Sequence, residues 1–337
     1  MERVPAARPV LVAPDSFKGT LTAAQVADAL QRGLERAGWS CDRCPAADGG
    51  DGTLDVLLPA LGGELVETEA HDPLGRPIAA AFALVERGAR AIVETATASG
   101  LALVAEAERD PEAASTAGTG ELIAAAVRSG VNEVVLGVGG SATTDGGAGA
   151  IGAIEASGGL AGVRLVVLCD VRTPFERAAE VFAPQKGADP DAVRRLSRRL
   201  ARRARALPRD PRGRPMTGCA GGLSGGLWAA FGARLVPGAA FVLDTLDFDA
   251  RARPAAAVVT GEGRLDPQSL EGKVVGEVAT RCRQRGVPCH AVVGHSALDR
   301  FGRRLLDLQT VDEAGTVADI QAVAARLGER LAAERSR

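Results

Sequence analysis

Four apolar residues, Val10-Leu11-Val12-Ala13, run directly into Pro14-Asp15-Ser16-Phe17-Lys18-Gly19-Thr20, and an amphipathic helix starts at once behind them. A run so short and so uniformly apolar suits a strand covered on both faces, as in a parallel sheet flanked by helices. Thr22 followed by Gln25 has the spacing of a capping box, Val26, Leu30 and Leu34 mark a buried stripe, and Ala37-Gly38 supplies a stop. The next strand, near Asp42–Ala46, leads into Ala47-Asp48-Gly49-Gly50-Asp51-Gly52-Thr53. The far end of the chain repeats the pattern. A strand at Ala255–Thr260 opens into Gly261-Glu262-Gly263-Arg264-Leu265-Asp266. A helix follows at Val274–Arg285, a strand at Pro288–Val293 and a shorter apolar run at Leu308–Val311. Ala318–Arg335 closes the chain as a helix. Alternating strands and helices predict an open, flavodoxin- or Rossmann-like α/β sheet, whose ligands sit beyond the carboxyl ends of the strands.

The middle of the chain has strands near Ala91–Thr95, Val134–Val138 and Arg164–Asp170 and a helix near Gly120–Arg128. Because both ends read as parts of one sheet, the sequence predicts a discontinuous α/β domain of residues 1–62 and 250–337 with a second α/β domain, 63–249, inserted. Two consecutive domains are the other arrangement the pattern allows. Seven arginines fall between residues 193 and 207, with Val193, Leu196, Leu200, Ala204 and Leu207 spaced by three and four. That is an amphipathic helix with a basic solvated face, or a basic rim that attracts an anionic ligand. Arg209–Pro215, rich in proline and arginine, reads as a mobile loop.

A net charge of -2 argues against bulk binding of nucleic acid or anionic membrane. Aromatic residues make up only 3%, with no Tyr, which disfavours base-stacking platforms. Met1–Pro9 carries Arg3 and Arg8 but leads into no signal-peptide core, and no stretch approaches a membrane span, so a cytoplasmic protein is expected. Cys41-Asp-Arg-Cys44 is a lone CxxC on a predicted strand and reads as structural thiols.

Three loops mix glycine with carboxylates: Asp48–Thr53, Gly137–Gly147 and Gly261–Asp266. Glycine lets backbone N–H groups approach an anion. Carboxylates beside that anion require a cation between them, as magnesium provides in phosphoryl transfer. Lys18, Lys186 and Lys273, three lysines in polar glycine-containing segments of an arginine-rich chain, suit phosphate oxygens. The plainer reading of each loop is a turn in which Asp caps its own backbone. No P-loop, protein-kinase catalytic loop or nucleophile elbow is present. Gly137-x-Gly139-x-x-Ala142 fits a loose dinucleotide fingerprint, which keeps an NAD(P)-dependent oxidoreductase as an alternative.

Taken in order, the motifs resemble the type I glycerate kinase family (bacterial glycerate 2-kinases). They are Ala13–Gly19, Ala47–Thr53, Asp72–Gly75, Glu94–Leu101, Gly118–Ile123, Gly139–Gly147, Cys169–Val171, Phe182–Ala188, and Gly261–Gln268 with Gly272-Lys273. The resemblance implies two α/β domains with the active site in the cleft. It also implies magnesium-dependent transfer of the ATP γ-phosphoryl group to D-glycerate, giving 2-phosphoglycerate, with 3-phosphoglycerate as the other product. The chain departs from the family at Asp51 (usually Glu), Thr144 (usually Asn), Thr173–Arg177, a shortened connection between Glu155 and Leu165, and Gly218–Gly226. These departures give a second reading, a catalytically weak relative that senses a sugar acid.

Carried onto this sequence, the resemblance assigns Lys18, Asp48 and Asp266 to catalysis, with Asp266 or Asp48 as base. Asp15, Ser16, Asp51, Glu262 and Arg264 would bind the acceptor. Gly139, Gly140, Ser141, Thr143, Lys186 and Lys273 would bind the nucleotide, and Asp145 the magnesium. ATP and D-glycerate are the expected partners of a monomer or homodimer.

Overall fold

The computed structural model describes residues 8–335; the Met1–Ala7 part of the segment read for a leader lies outside them. The chain forms two compact units. One joins the residues up to Asp48 with those from Ala239 onward, and the other is Gly49–Gly238.

The first unit carries a five-stranded, wholly parallel sheet. Its order is Thr310–Glu313, Cys289–Val293, Ala257–Gly261, Val10–Pro14, Cys41–Arg43. The apolar runs explain the order: every residue of Val10–Pro14, Ala257–Gly261 and Cys289–Val293 is buried, as central strands require. From Val10–Pro14 the chain moves to one side of the sheet, and from Ala257–Gly261 to the other. Between these two strands lies the topological switch point. The helix Ala23–Arg36 begins at the predicted capping box: Thr22 Oγ1 accepts from Gln25 N at 3.2 Å and Gln25 Oε1 accepts from Thr22 N at 2.9 Å. It packs against the closing helix Val317–Arg335 over Val26, Leu30, Leu34, Ile320, Val323 and Leu327. The helix Val274–Arg285 has the bounds its sequence predicts and ends at Gly286, φ 65°.

The second unit has a six-stranded sheet ordered Gly63–His71, Pro77–Val85, Arg90–Glu94, Glu133–Gly137, Arg164–Cys169, Arg234–Pro237. The first three strands pair antiparallel and the remainder parallel. Helices Ala117–Arg128, Ala148–Ala156 and Cys219–Phe231 share its apolar core.

The units divide after Asp48 and after Gly238 rather than at residues 62 and 249. The helix Thr53–Leu61 accounts for the earlier break: its Leu54 N–H donates to Glu94 of the second sheet at 2.7 Å. The Arg209–Pro215 segment is held rather than loose. Arg209 and Arg214 lie 4.8 Å and 4.5 Å from the Trp228 ring centroid, and Arg209 donates to the Trp228 carbonyl at 2.6 Å. All six cysteines are free thiols, five of them buried. Among the described residues no helix is long and apolar enough to cross a membrane.

Gly33 shows how closely the two long helices of the first unit approach. A Cβ there would lie 2.4 Å from the Gln321 carbonyl oxygen and 2.5 Å from Ala324 Cβ. Gly33→Ala should therefore lower the urea midpoint. Overpacking of about 1–3 kcal/mol outweighs a helix-propensity gain of at most about 1 kcal/mol. Gly152→Ala, in an exposed helical position with no atom within 4 Å, should raise the midpoint slightly. A Gly33→Ala protein as stable as the parent would contradict this packing.

Candidate active site

The loops that follow three neighbouring parallel strands meet at the switch point because glycine lets them. A Cβ on Gly263 would lie 3.1 Å from Phe17 Cα, and one on Gly294 would lie 2.5 Å from the Gly263 carbonyl oxygen. Asp15 N donates to the Gly261 carbonyl at 2.8 Å, and Gly294 N to the Glu262 carbonyl at 3.1 Å. These loops enclose a cavity of about 340 Å³ whose walls carry Asp15, Ser16, Lys18, Asp48, Glu262, Arg264 and Lys273. That volume suits a small polar ligand.

The charges of the cavity are paired in part. Lys18 Nζ lies 3.0 Å from Asp48 Oδ2; the lysine is largely exposed and the aspartate buried. Asp15 is buried and its Oδ1 accepts from Ser16 N at 2.7 Å. Burial, reinforced by the Asp48 charge, pushes the Asp15 carboxyl up to about 8, against the pull of Lys18 and the Ser16 N–H. Burial likewise drives Glu262 up to about 7, although Ser269 Oγ donates to its Oε1 at 2.5 Å and Lys273 lowers it. Asp266 stands differently. Its Oδ1 accepts from Gln268 N at 2.9 Å, capping the turn Pro267–Glu271, and Arg264 and Lys273 each lie 3.9 Å from it. The cavity thus offers two carboxyl groups poised near neutrality with cationic groups at its walls. Such a set can accept a hydroxyl proton and hold an anion.

The loop Gly137–Gly147 belongs to the second unit. Ala142 N donates to the Ser99 carbonyl at 2.9 Å and Leu101 N to the Gly140 carbonyl at 2.8 Å. Beneath it Lys186 is buried, donating from Nζ to Ser141 Oγ at 2.9 Å and to the Thr143 carbonyl at 2.5 Å. Burial drives its ammonium down to about 7. Lys186 therefore stands as an internal strut for the loop. Asp145 accepts four hydrogen bonds: from Thr116 N (3.0 Å), Thr116 Oγ1 (2.8 Å), Gly149 N (3.0 Å) and Gly147 N (2.9 Å). Asp145, the carboxylate expected on magnesium, closes this loop onto Thr116 and Gly149, and its bond from Gly147 N caps the local turn. Asp51 is exposed and lies with the same loop, its Cβ 3.7 Å from the position a Gly140 Cβ would take. The dinucleotide fingerprint fails here. Its helix starts only at Ala148, and Gly139 serves close packing, since a Cβ there would lie 2.4 Å from Gly50 Cα. Among the described residues no group of three or more His, Cys, Asp or Glu side chains is arranged to hold a metal.

A model of the glycerate kinase family matches residues 10–157 and 154–319. The chain belongs to the glycerate kinase family. A protein of Bacillus subtilis (strain 168) named glycerate kinase is 37% identical over 327 residues, covering 86% of each chain. One of Escherichia coli (strain K12) named glycerate 2-kinase is 33% identical over 352 residues, covering 90% of this chain and 92% of its own. A crystal structure from Salmonella typhimurium LT2, described provisionally as glycerate kinase 2, superposes with a TM-score of 0.83 at 32% identity, over 98% of this chain and 100% of the other. Glycerate kinases are phosphotransferases, and this chain is a kinase of that family.

The glycerate kinase motifs thus collect in two places. Asp15, Ser16, Lys18, Asp48, Glu262, Arg264 and Lys273 share one cavity, and Lys273, assigned to the nucleotide by resemblance, stands beside Glu262. Gly139, Gly140, Ser141, Thr143, Asp145 and Lys186 build the other loop. The sequence reading gives no role to Ser269 or Glu94. Glu94 is buried and caps the helix Thr53–Leu61, whose N-cap Gly52 has no side chain to do so. Burial raises it to about 7 against the Leu54 N–H.

Lys186 has a thermodynamic signature. In the folded state its ammonium loses its proton near 7, against an ordinary 10.5, so between these values the unfolded chain binds more protons and stability rises with pH. Lys186→Met should flatten the pH dependence of the urea midpoint across that window, with the largest relative gain at its acid end. An unchanged pH profile would show that Lys186 is not buried as described.

Proposed function

We propose that this chain is a cytoplasmic, magnesium-dependent kinase that transfers the γ-phosphoryl group of ATP to D-glycerate and yields 2-phosphoglycerate. The observation that carries the reading is the cavity at the switch point, where buried acids of high proton affinity face Lys18, Lys273 and Arg264. D-glycerate has one carboxylate and two hydroxyls. Arg264, largely exposed at the cavity wall, and Lys273 suit the carboxylate; Glu262 suits a hydroxyl. The relatives named glycerate kinase and glycerate 2-kinase support the acceptor and favour the 2-hydroxyl.

Glu262 is the better base among the acids of the cavity. Asp48 is paired with Lys18, and Asp266 stands outside the cavity lining, capping a turn. A carboxylate poised near 7 takes a hydroxyl proton more readily than one held in an ion pair. In the transfer the hydroxyl proton passes to Glu262, the hydroxyl oxygen bonds to the γ-phosphorus, and the bond from that phosphorus to the ADP oxygen breaks. Lys18 stands at the wall where negative charge would gather, and Ser269 orients Glu262.

The oxygen donors of Asp15 and Asp48 fit magnesium, a hard cation that takes one or two carboxylates together with phosphate oxygens. Their fit rests on electrostatics: the Asp48 charge adds to burial in raising Asp15, and an added cation relieves that repulsion. When bound, the ion would neutralise charge on the transferring phosphate.

The test is an ADP-release assay with D-glycerate, coupled to phosphorus NMR of the product. The parent protein should turn over and place phosphate on the secondary carbon. Lys18→Ala and Glu262→Gln should each lower kcat by about a hundredfold or more, with folding intact. Binding of D-glycerate without turnover by the parent protein would leave a sensor in place of an enzyme.

A further inference from the structure

The second unit has a cavity of about 560 Å³ that none of the family motifs reaches. It opens at the starts of the strands Glu133–Gly137, Arg164–Cys169 and Arg234–Pro237, whereas the Gly137–Gly147 loop leaves the opposite end of the first of them. Ligands of an α/β enzyme's reaction collect beyond the carboxyl ends of its strands, so a cavity at their starts is a separate place. Leu160, Val163 and Phe231, each half-buried against the core, form its apolar wall. Glu133, Arg164 and Arg234 supply its charges.

Strand register sets those charges in one row. Arg90 stands beside Glu133, Glu133 beside Arg164, and Arg234 beside Val166, two residues on from Arg164. Side chains in register share a face, as do those two apart on a strand, so the three arginines and Glu133 project to the same side. Glu133 is divided between two of them: its Oε1 accepts from Arg90 Nε at 2.9 Å and its Oε2 from Arg164 Nε at 3.2 Å. Arg234 is exposed and has no ion pair among the described residues. The cavity therefore holds a cation in excess. The carbonyls at the end of the helix Cys219–Phe231 would repel an anion, but two of them are already answered. Those of Trp228 and Ala229 accept from Arg209 at 2.6 Å and 3.3 Å.

The remaining wall is the turn between the helix Ala148–Ala156 and the strand Arg164–Cys169, and it is tied down. Gly159 N donates to the Ile154 carbonyl at 2.9 Å, Val163 N to the Leu160 carbonyl at 2.8 Å and Arg164 N to the Asn132 carbonyl at 3.1 Å. The cavity is thus preformed, and its size is that of a small-molecule site. The same turn is where this chain departs from its family. The two stretches matched by the family model meet at residues 154–157, and the connection that follows is the shortened one. A short turn leaves the strand starts beneath it uncovered. We propose that this cavity binds a small organic anion, with Arg234 and Arg164 holding its phosphate or carboxylate group and Leu160, Val163 and Phe231 receiving its apolar body. The ligand takes no part in the phosphoryl transfer, so the site stands apart from the kinase reading.

Amide NMR titration of the full-length protein reads the site without requiring turnover, with Gly162 and Gly232 in the cavity wall as local reporters. Phenyl phosphate and benzoate are the probes: each joins an oxyanion to an apolar ring, and the tighter binder shows which oxyanion the arginines prefer. At least one should shift both amides to saturation. Benzyl alcohol, which lacks the charge, and inorganic phosphate, which lacks the ring, should each bind more weakly. Arg234→Met should weaken the preferred probe about tenfold, and Arg234→Lys should recover part of the loss. Arg198→Met, exposed on the helix Pro190–Ala206, should change nothing. The amide spectrum of each variant also reports that it is folded. Reporter amides that ignore both probes, or an Arg234→Met protein that binds as the parent does, would overturn the proposal. So would inorganic phosphate binding as tightly as phenyl phosphate, since that is an adventitious ion only.

Discussion

Everything in the candidate active site follows from the parallel pairing of Val10–Pro14 with Ala257–Gly261, which registers Val10 on Ala257 and Pro14 on Gly261. Those strands lie at opposite ends of the sequence, and a sheet that starts and finishes the same unit is what brings Asp15 beside Glu262. Their carboxyl ends mark the point where the strand order turns in both directions. A crevice opens there without any side chain having to be carved away. Gly263 and Gly294 then allow the loops to close to backbone contact. The fold thus makes the cavity, and the loops supply its charges.

Those charges oppose stability. Asp15 and Glu262 bind protons more tightly in the folded chain than in the unfolded one, so their contribution is fully present at acid pH. It is lost as pH rises from the ordinary carboxylate range through about 7 and about 8. Lys186 in the second unit acts in the opposite sense, with stability lost as pH falls from the ordinary lysine value of 10.5 to about 7. A chain selected for stability alone would not bury an ammonium and carboxyls in this way. Burial of this kind is characteristic of sites where proton affinity matters.

The sequence made some of this legible and hid the rest for physical reasons. Uniformly apolar runs declare central strands, and the Thr22/Gln25 box and Gly286 declare helix ends, because those signals are local. The Gly63–His71 and Pro77–Val85 hairpin went unread. Its first strand is mostly exposed, with Glu64, Glu67 and Glu69 along it, so it lacks an apolar run. The boundary at Asp48 went unread because the contact that decides it joins Leu54 to Glu94 across 40 residues of sequence. The residues of the cavity could be listed from motifs, yet their roles could not. That Asp145 closes onto Thr116 and that Lys186 lies inside depend on partners far along the chain, whereas the Asp266 cap is made to Gln268, two residues on. The arginine helix shows the same limit: periodicity reveals which side is apolar, but not that Arg199 and Arg203 come to rest on a glycine loop.

The central claim is that burial at the switch point raises the proton affinity of Asp15 and Glu262 side by side, so that a ligand entering the cavity shifts both. Carbon-detected NMR titration of the two side-chain carboxyls, with and without D-glycerate, tests it most directly. The account predicts midpoints near about 8 for Asp15 and about 7 for Glu262 in the free protein, both displaced when D-glycerate is added. Midpoints near the ordinary value of about 4, or titrations indifferent to D-glycerate, would contradict it.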